Sequence, residues 1–313
     1  YRIIYPPADR CSFFKLFCVL LKIITNPFFN KDTNNVLIFQ KICSKSHYSF
    51  FLKIILLLKK RNSIYDLDDA MNLIRDKNII DFFIKNSRFV FLGSKSLQEY
   101  AQKINKNSYL ITTPIIKHNI AKGNKNKILN IGWIGIFGVH EENLFKILFP
   151  AIKDLNSSIK LSLLGVQNNK QLQKVQRFFI KNSNIEIYAP LTIDWLNENS
   201  IYKEISKFDI GVMPLIDNEI NRSKSAFKLK QYMSCGIPVI ASNVGDNKLF
   251  VENGKNGFLF KSKEELKKLI LLFDSIDPEK YTKMSQKAKE TYLKKFSMDI
   301  IGQKYYSLIQ KPQ

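Results

Sequence analysis

The segment from Phe208 to Phe260 holds the residues whose types and spacing best suit the binding of an anion. It opens with an apolar strand pattern that ends at Pro214, and a loop, a helix, a Gly-Pro turn and a second strand follow. Gly245 then stands at the junction between the second strand and the next helix. Backbone N–H groups at such a junction are left without partners and can receive an anion. The segment therefore predicts an anion-binding site.

Three carboxylates form a second group of candidate residues. Asp66, Asp68 and Asp69 come at the end of a predicted strand, so we expect their loop at a sheet edge where ligands bind. Carboxylates this close repel one another and must be solvated or paired with cations. Four interpretations are open: helix capping, contact with a substrate, orientation of a nearby cation, and a metal site.

A second loop is expected at the same edge, after the predicted strand Val36–Gln40. It contains Gln40, Lys41 and His47, and two roles are open for it: substrate binding, and catalytic base chemistry at His47. No Ser-His-Asp or Cys-His arrangement suggests a nucleophile, and Cys235 is interpreted as a small buried residue before a turn. The four cysteines contain no Cys-x-x-Cys pair and lie far from the three histidines, so no zinc site is expected.

These loops must be positioned by strands and helices that alternate along the chain, which is the pattern of a doubly wound α/β fold. The predicted strands are Val36–Gln40, Ser63–Asp66, Arg88–Leu92, Ser108–Ile111, Ile128–Ile134, Lys160–Leu164, Asn184–Ile187, Asp209–Met213, Pro238–Ser242 and Gly257–Phe260. Ser262 with Glu265 is typical of a capping box, and Asp277 followed by Pro278 is typical of an N-cap and a first helical residue.

The length of 313 residues predicts two domains. A polar stretch from Lys117 to Lys127 separates the two halves, so we place the domains at residues 1–124 and 125–295. Residues 296–313 are expected to form a final helix that packs back towards the first domain. Two Rossmann-like halves that face each other would bring the loops of both into one cleft.

The composition is that of an ordinary globular protein, with 45% hydrophobic and 24% charged residues. The net charge of +22 fits nucleic acid, anionic lipid or anionic small molecules as partners. However, 42 of the 49 basic residues are Lys, and the chain is also rich in Asn and Ile, as AT-rich coding would produce. Aromatic residues do not interleave with the lysines as in stacking platforms, so nucleic acid is not an expected partner.

Two apolar segments are too short or too interrupted to cross a bilayer, which takes about 20 residues. They are Phe13–Phe29 and Tyr48–Leu58, and the second ends in Lys59, Lys60 and Arg61. Two interpretations are open for each: a buried helix of an α/β domain, or a helix on a membrane surface with its lysines among anionic head groups. The sequence begins with Tyr rather than Met, so a start upstream of Tyr1 is an expectation.

The sequence resembles the large bacterial family of retaining glycosyltransferases, the "glycosyl transferases group 1" type, which has the two-domain GT-B fold. Besides the Phe208–Phe260 segment, the motifs that carry the resemblance are Tyr65-Asp66-Leu67-Asp68-Asp69-Ala70, Ile131-Gly132-Trp133-Ile134-Gly135 and Asn253-Gly254-Lys255-Asn256-Gly257-Phe258-Leu259. They occur in the order found in the family along nearly the whole chain.

The resemblance implies transfer of a sugar from a nucleotide-diphosphate donor to a glycan or lipid-linked acceptor, without a metal or other cofactor. Cell-surface polysaccharide synthesis is the implied role, in the cytoplasm or at the inner face of the cell membrane. The leaving diphosphate needs cations and helix N-termini, so Lys228 and Lys224 are the implied catalytic residues. The implied donor-binding residues are Gly135, Ile136, Tyr188, Ala189, Pro190, Arg222, Ser223, Lys224, Lys228, Gln231, Gly245, Asp246 and Asn247. The implied acceptor-side residues are Gln40, Lys41, His47, Asp66, Asp68 and Asp69.

The chain departs from the common family pattern at two places. Many relatives carry a Glu-x7-Glu pair where this chain has Ser223 and Gln231. Many also carry an Arg and a Lys in the loop that here runs from Gly135 to His140, so Lys224 and Lys228 must supply the phosphate cations. The chain resembles a Lys-rich subset of the family with this Gln, and the alternative is a catalytically degenerate protein that still binds a sugar or nucleotide. If Phe227 starts the helix, Lys228 and Gln231 share one face and Lys230 faces away from them.

Overall fold

The structure is a computed structural model that describes residues 36–43 and 47–310. Its contacts divide the chain into two compact units, Tyr1–Thr112 with Lys311–Gln313, and Thr113–Gln310. The apolar segment Phe13–Phe29 lies outside the described residues, so both interpretations of that segment stay predictions.

The first unit is built on a parallel sheet of four strands in the order β1-β2-β3-β4. The strands are β1 (Leu37–Gln40), β2 (Ser63–Leu67), β3 (Phe89–Leu92) and β4 (Ser108–Leu110). The helices are α1 (His47–Leu58), α2 (Met71–Ile74), α3 (Lys77–Asn86) and α4 (Lys95–Gln102), with a 3-10 turn at Lys60–Asn62. Strand β3 is buried along its whole length and reads as one apolar run, as expected for a parallel strand covered on both faces.

The second unit is built on a parallel sheet of six strands in the order β10-β9-β8-β5-β6-β7. The strands are β5 (Leu129–Ile134), β6 (Ile159–Leu164), β7 (Ile185–Tyr188), β8 (Ile210–Met213), β9 (Val239–Ser242) and β10 (Gly257–Phe260). The helices are α5 (Phe137–Asn143), which continues through a π-helical turn (Leu144–Leu148) into α6 (Phe149–Lys153), then α7 (Asn169–Phe178), α8 (Glu198–Ile205), α9 (Glu219–Arg222), α10 (Phe227–Ser234), α11 (Asn247–Phe250), α12 (Lys263–Asp274), α13 (Pro278–Lys295) and α14 (Met298–Ile309).

The order of strands in the second unit reverses between β5 and β8. From β5 the chain adds β6 and β7 on one side, and from β8 it adds β9 and β10 on the other. In open α/β sheets, ligands bind in the crevice that such a reversal leaves at the carboxyl ends of the strands. The loops after β5 and β8 are therefore the places to look for a site.

The ten predicted strands are all confirmed, with ends that agree to within one residue. The N-caps at Ser262 and Asp277 are confirmed, although the carboxylate of Glu265 in the predicted capping box accepts from the N–H of Lys261 rather than from that of Ser262. The hydroxyl of Ser262 accepts a hydrogen bond from the N–H of Glu265 at 3.2 Å, and the carboxylate of Asp277 accepts from the N–H groups of Glu279 and Lys280. Helix α10 begins at Phe227, which is the condition under which Lys228 and Gln231 were expected to share one face.

The polar stretch Lys117–Lys127 is tied to the second unit rather than left as a free separator. The ammonium of Lys122 lies 3.0 Å from the carboxylate of Asp209, and both side chains are buried. The N–H of Asn126 donates to the same carboxylate at 2.9 Å. Because a buried charge needs a partner, this pair fixes the polar stretch against the start of strand β8.

The described helices give no candidate for a membrane span. Within residues 36–43 and 47–310, no helix combines the length and the apolar content needed to cross a bilayer.

Candidate functional site

Two glycine-containing loops meet at the carboxyl ends of β5 and β6. The N–H of Gly135 donates to the carbonyl of Leu164 at 2.9 Å, and the N–H of Phe137 donates to the carbonyl of Gly165 at 3.1 Å. A Cβ atom on Gly165 would lie 1.7 Å from the carbonyl oxygen of Gly135, so only glycine allows this approach. The loop after β5 is thereby held in one position, with Ile136 exposed at its tip.

Lys228 lies across this loop. A Cβ atom on Gly135 would lie 2.6 Å from Cε of Lys228, so the glycine leaves the space through which the lysine side chain passes. The ammonium lies 5.8 Å from the centre of the Trp133 ring and 2.9 Å from Nε2 of His140. Strand β5, helix α5 and helix α10 thus converge on one ammonium group at the reversal of the strand order.

His140 is the residue of this site that the sequence reasoning missed. The side chain is buried, and its ring meets Trp133 edge-on at 5.8 Å between centroids. Burial, together with the positive charges of Lys228 and Lys224, lowers the pKa of His140 to about 2, so the ring is neutral at physiological pH. The sequence feature that could have identified His140 is its position in the first turn of the helix after Gly135, a region where many relatives carry basic residues.

Lys224 lies near His140, whereas Arg222 is paired with a carboxylate at the surface. Lys224 is close enough to His140 for its charge to lower the pKa of that residue. Arg222 is exposed and pairs with Asp217, with Nε 2.6 Å from Oδ1 and Nη2 3.1 Å from Oδ2. Ser223 is buried at the end of helix α9.

The loop from Gly245 to Asn247 packs on the backbone of Arg222. Gly245 has a φ of +54°, and a Cβ atom there would lie 2.7 Å from the carbonyl oxygen of Arg222. Asp246 and Asn247 are both buried, and the amide of Asn247 donates to the carbonyl of Ser242 at 2.9 Å. The structure therefore brings Gly245 against the backbone of Arg222.

Gln231 and Lys230 lie on different sides of helix α10. Gln231 is half-buried, one turn after Lys228. Lys230 is fully buried, donates to the carbonyl of Thr113 at 3.2 Å, and lies 5.5 Å from the centre of the Phe250 ring. The prediction that Lys230 faces away from Lys228 is confirmed, but the burial makes Lys230 unsuitable as a surface control.

Tyr188 is the last residue of strand β7, two strands from β5, and Ala189 and Pro190 follow it at the same edge of the sheet. The hydroxyl of Tyr188 donates to the carboxylate of Glu204 at 3.0 Å. The ammonium of Lys160 lies 5.1 Å from the centre of the Tyr188 ring. Burial and the contact with Glu204 raise the pKa of Tyr188, so the hydroxyl stays protonated.

In the first unit, the structure brings four of the predicted acceptor-side residues together. The ammonium of Lys41 lies 2.8 Å from the carboxylate of Asp68, and the amide of Gln40 donates to the carboxylate of Asp66 at 3.4 Å. Asp69 instead accepts from the N–H of Ala70 at 2.9 Å, next to the start of α2. The side chain of His47 lies outside the described part of the chain.

The surroundings of Asp66 alter its acidity. Burial and the neighbouring charge of Asp68 raise its pKa to about 6, against the opposing effects of Lys41 and Gln40. Lys41 has a positive φ of 51° although it is not glycine, and positive φ values in such residues concentrate at functional sites. Among the described residues, no three His, Cys, Asp or Glu side chains are grouped as metal ligands.

Comparison with known proteins gives one family and many solved structures. Residues 128–273 match the family described as Glycosyl transferases group 1, and no curated protein sequence matches the chain. A glycosyltransferase from Rickettsia africae matches with 14% identity over 98% of this chain and 84% of its own, at a TM-score of 0.67. HepE from Anabaena, in complex with UDP and glucose, matches with 15% identity over 85% of this chain and 76% of its own, at a TM-score of 0.64. Sucrose-phosphate synthase from Thermosynechococcus elongatus matches with 14% identity over 83% of this chain and 72% of its own, at a TM-score of 0.58.

At sequence identities of 14–15%, the structural similarity is evidence for the fold alone. The two parallel-sheet units match the α/β fold of GT-B glycosyltransferase structures, which confirms the predicted fold class. The family match runs from strand β5 to helix α12, and it supports the resemblance for that part of the second unit. The retaining stereochemistry and the Lys-rich subset stay predictions.

Proposed function

We propose that the protein is a metal-independent glycosyltransferase that moves a sugar from a nucleotide-diphosphate donor to a glycan or lipid-linked acceptor with retained anomeric configuration. The observation that carries the proposal is the convergence of Gly135, His140 and Lys228 at the reversal of strand order. The group 1 family match over residues 128–273 supports it independently. The implied setting is cell-surface polysaccharide synthesis in bacteria.

In this proposal the donor diphosphate binds against Lys228, with Lys224 as the second lysine. As the glycosidic bond breaks, negative charge grows on the leaving diphosphate, and a fixed ammonium stabilises that charge more than the ground state. Cations from the protein take the place of a metal ion in this mechanism. Gln231 is assigned to a ribose hydroxyl and the Tyr188–Pro190 loop to the base.

The acceptor is assigned to the first unit, at the carboxyl ends of β1 and β2. Gln40, Lys41, Asp66 and Asp68 offer donors and acceptors for sugar hydroxyl groups there. An Asp66 carboxylate with a pKa of about 6 is suited to orient and partly deprotonate a hydroxyl near neutral pH.

A donor screen tests the proposal. UDP, GDP, ADP and CMP are compared by thermal shift, because a ligand that binds only the folded protein stabilises it, by about 2.7 kcal/mol at 100 times Kd. The nucleotide that binds is then supplied as its sugar conjugate, and proton NMR follows hydrolysis or transfer and the anomer formed. Absence of any nucleotide-dependent shift would contradict the proposal.

A catalytically degenerate binding protein is the second candidate, because Ser223 and Gln231 stand where many relatives carry glutamates. It predicts nucleotide binding without sugar transfer or donor hydrolysis, and the NMR experiment separates the two candidates directly.

We further propose that helix α1 rests on an anionic membrane surface. Phe50 and Leu58 are 60% and 63% exposed, and Ile54 and Leu57 lie exposed between them. The spacing of these four residues puts them on one face of the helix, opposite the buried Leu52 and Leu56. Lys53 lies within the helix and Lys59 and Lys60 follow it directly in the sequence, and lysines near such a face complement anionic lipid head groups.

A further inference from the structure

Asn143 joins helix α5 to the segment that follows strand β8. The side chain is buried, and its Oδ1 atom accepts a hydrogen bond from the N–H of Ile216 at 2.8 Å. The same oxygen accepts from the amide of Asn221 at 3.4 Å, and that amide also donates to the carbonyl of Ile216 at 2.8 Å. This cluster therefore connects the elements that follow β5 and β8, the two strands at which the strand order reverses.

Helix α9 depends on an anchor of this kind. It has four residues, Glu219–Arg222. Most backbone groups of such a short helix have no partner within it, so its own hydrogen bonds do not hold it in place. Asn221 is the buried residue of this helix, and its amide makes the contact with Asn143. Helix α9 is thus fixed to helix α5 on its buried side.

Lys224 takes its position from the same helix. It stands two residues after the end of α9, and its N–H donates to the carbonyl of Asn221 at 3.3 Å. On the other side of the site, Lys228 contacts His140. His140 lies one turn before Asn143 on helix α5, and its Nδ1 atom is 3.4 Å from the Asn143 amide nitrogen. Asn143 therefore lies between the parts of the fold that carry the two lysines assigned to the diphosphate.

The local structure at Asn143 is unusual as well. Helix α5 ends at this residue, and the π-helical turn Leu144–Leu148 follows directly. Such turns are rare and often lie at functional sites. Leu144 and Leu148 belong to the apolar core of the second unit, whereas Asn143 brings a polar amide to its border. A buried amide costs free energy unless it is hydrogen-bonded, and here its oxygen bonds to the segment that carries the predicted donor residues.

We propose that Asn143 is a positioning residue of the donor site, which holds helix α9 so that Lys224 meets the same diphosphate as Lys228. The inference rests on the proposed function. Two cations stabilise one leaving group only if both are held at the right distance from it, and a misplacement of about 1 Å can cost roughly 100-fold in rate. Asn143 touches neither the donor nor the reacting atoms in this proposal, and it acts through Lys224.

The test is the affinity for a nucleotide sugar, measured by titration calorimetry. The probe is whichever of UDP-glucose, GDP-mannose and ADP-glucose gives the largest thermal shift. Asn143→Ala should weaken binding by about fivefold or more, because it removes the hydrogen bonds that hold α9. In a Lys224→Ala background the same substitution should have no further effect. Asn221→Ala removes the contact from the other side and should show the same dependence on Lys224.

Asn130→Ala is the matched control. Asn130 is a buried asparagine of the same unit near the amino end of strand β5, away from the site. Its side chain accepts from the hydroxyl of Ser162 at 2.7 Å and donates to the carbonyl of Lys207 at 2.9 Å. Asn130→Ala should lower the urea midpoint, as Asn143→Ala does, and yet leave the affinity for the nucleotide sugar unchanged.

Unchanged affinity in folded Asn143→Ala would overturn the inference, and so would a loss of affinity that persists in the Lys224→Ala background. An equal loss of affinity in Asn130→Ala would assign the effect to general destabilisation and also overturn it. If Asn143→Ala does not fold, the Asn221→Ala series decides by the same criteria. Failure of every nucleotide sugar to bind the wild-type protein would instead overturn the proposed function.

Discussion

The orientation of the Lys228 side chain is set by neighbouring residues as well as by its position on helix α10. Gly135 leaves the space beneath its side chain, Trp133 forms one wall, and His140 accepts a hydrogen bond from its ammonium. A lysine on an exposed helix face would lose rotamer entropy on binding a phosphate, whereas this one is already ordered. The arrangement prepares a single cation for an anionic ligand.

We expect Lys228→Ala to weaken binding of the donor nucleotide by about 1.5–3 kcal/mol, the usual range for a hydrogen bond to a charged group. This corresponds to roughly 10- to 150-fold in Kd, which calorimetry measures directly. Lys268→Ala, on the exposed side of helix α12, is the control. Equal, small effects of the two substitutions on folded proteins would mean that the phosphates are held elsewhere.

Asp66 makes a pH-dependent contribution to stability whose sign is fixed by its raised pKa. Between its ordinary value of 3.8 and about 6, the folded protein binds a proton at Asp66 that the unfolded chain does not. The free energy of unfolding therefore receives a contribution that falls as pH rises through this window and then levels off. Asp66→Asn removes the charge, so its urea midpoints between pH 4 and about 7 should vary less than those of the wild type.

The same variant separates a functional role of Asp66 from a structural one. If Asp66 serves the acceptor, Asp66→Asn should be at least as stable as the wild type near pH 7 and yet lose transfer activity, as residues kept for function at a cost in stability do. A variant that is less stable at neutral pH would instead assign Asp66 to the packing of the first unit.

At the scale of elements, helix α1 has two apolar faces. One face is buried in the core of the first unit through Leu52, Ile55 and Leu56. The opposite face exposes Phe50 and Leu58, which a soluble helix would normally replace by polar residues. An exposed apolar patch of this kind is typical of an interaction surface.

We expect the wild-type protein to float with vesicles that contain anionic lipid at low salt and to dissociate as salt rises, because screening shortens charge attraction to about 10 Å at 0.1 M. Phe50→Ser with Leu58→Ser should reduce flotation, whereas Leu272→Ser, an exposed leucine of helix α12, should not. Equal recovery of the wild type with neutral and anionic vesicles would contradict a membrane role for this face. Flotation that is unchanged in the double variant would move the contact to another part of the chain.

At the scale of the whole molecule, the distribution of charged side chains suits a reaction without a metal ion. The candidate donor site offers lysines at the place where a diphosphate would bind, and in the first unit Asp68 is paired with Lys41 and Asp66 accepts from Gln40.

We therefore expect donor turnover to persist in excess EDTA at the rate seen before chelation. The measurement is the release of nucleoside diphosphate, followed with the donor that the thermal-shift screen identifies. A loss of activity on chelation that manganese restores would contradict metal independence, while leaving the assignment of Lys228 to the phosphates open to the binding experiment.

The sequence by itself determined the elements and the family motifs. Apolar runs of four to six residues between polar turns marked the strands, because a parallel strand covered by helices on both faces is apolar along its length. The N-caps at Ser262 and Asp277 were readable because capping depends on residues within one turn of each other. The motif around Lys228 indicated an anion site for the same local reason.

Only the tertiary structure decided which distant residues complete the site. His140 lies 88 positions from Lys228, and nothing local in its loop shows that its ring meets that ammonium. Lys230 reads as an ordinary helix lysine, but the turn of the helix buries it against Thr113 and Phe250. Lys122 sits in a polar stretch that resembles a linker, and the buried Asp209 fixes that stretch to the second unit. Contacts of this kind depend on how the sheet folds back on itself, so hydrophobic periodicity does not contain them.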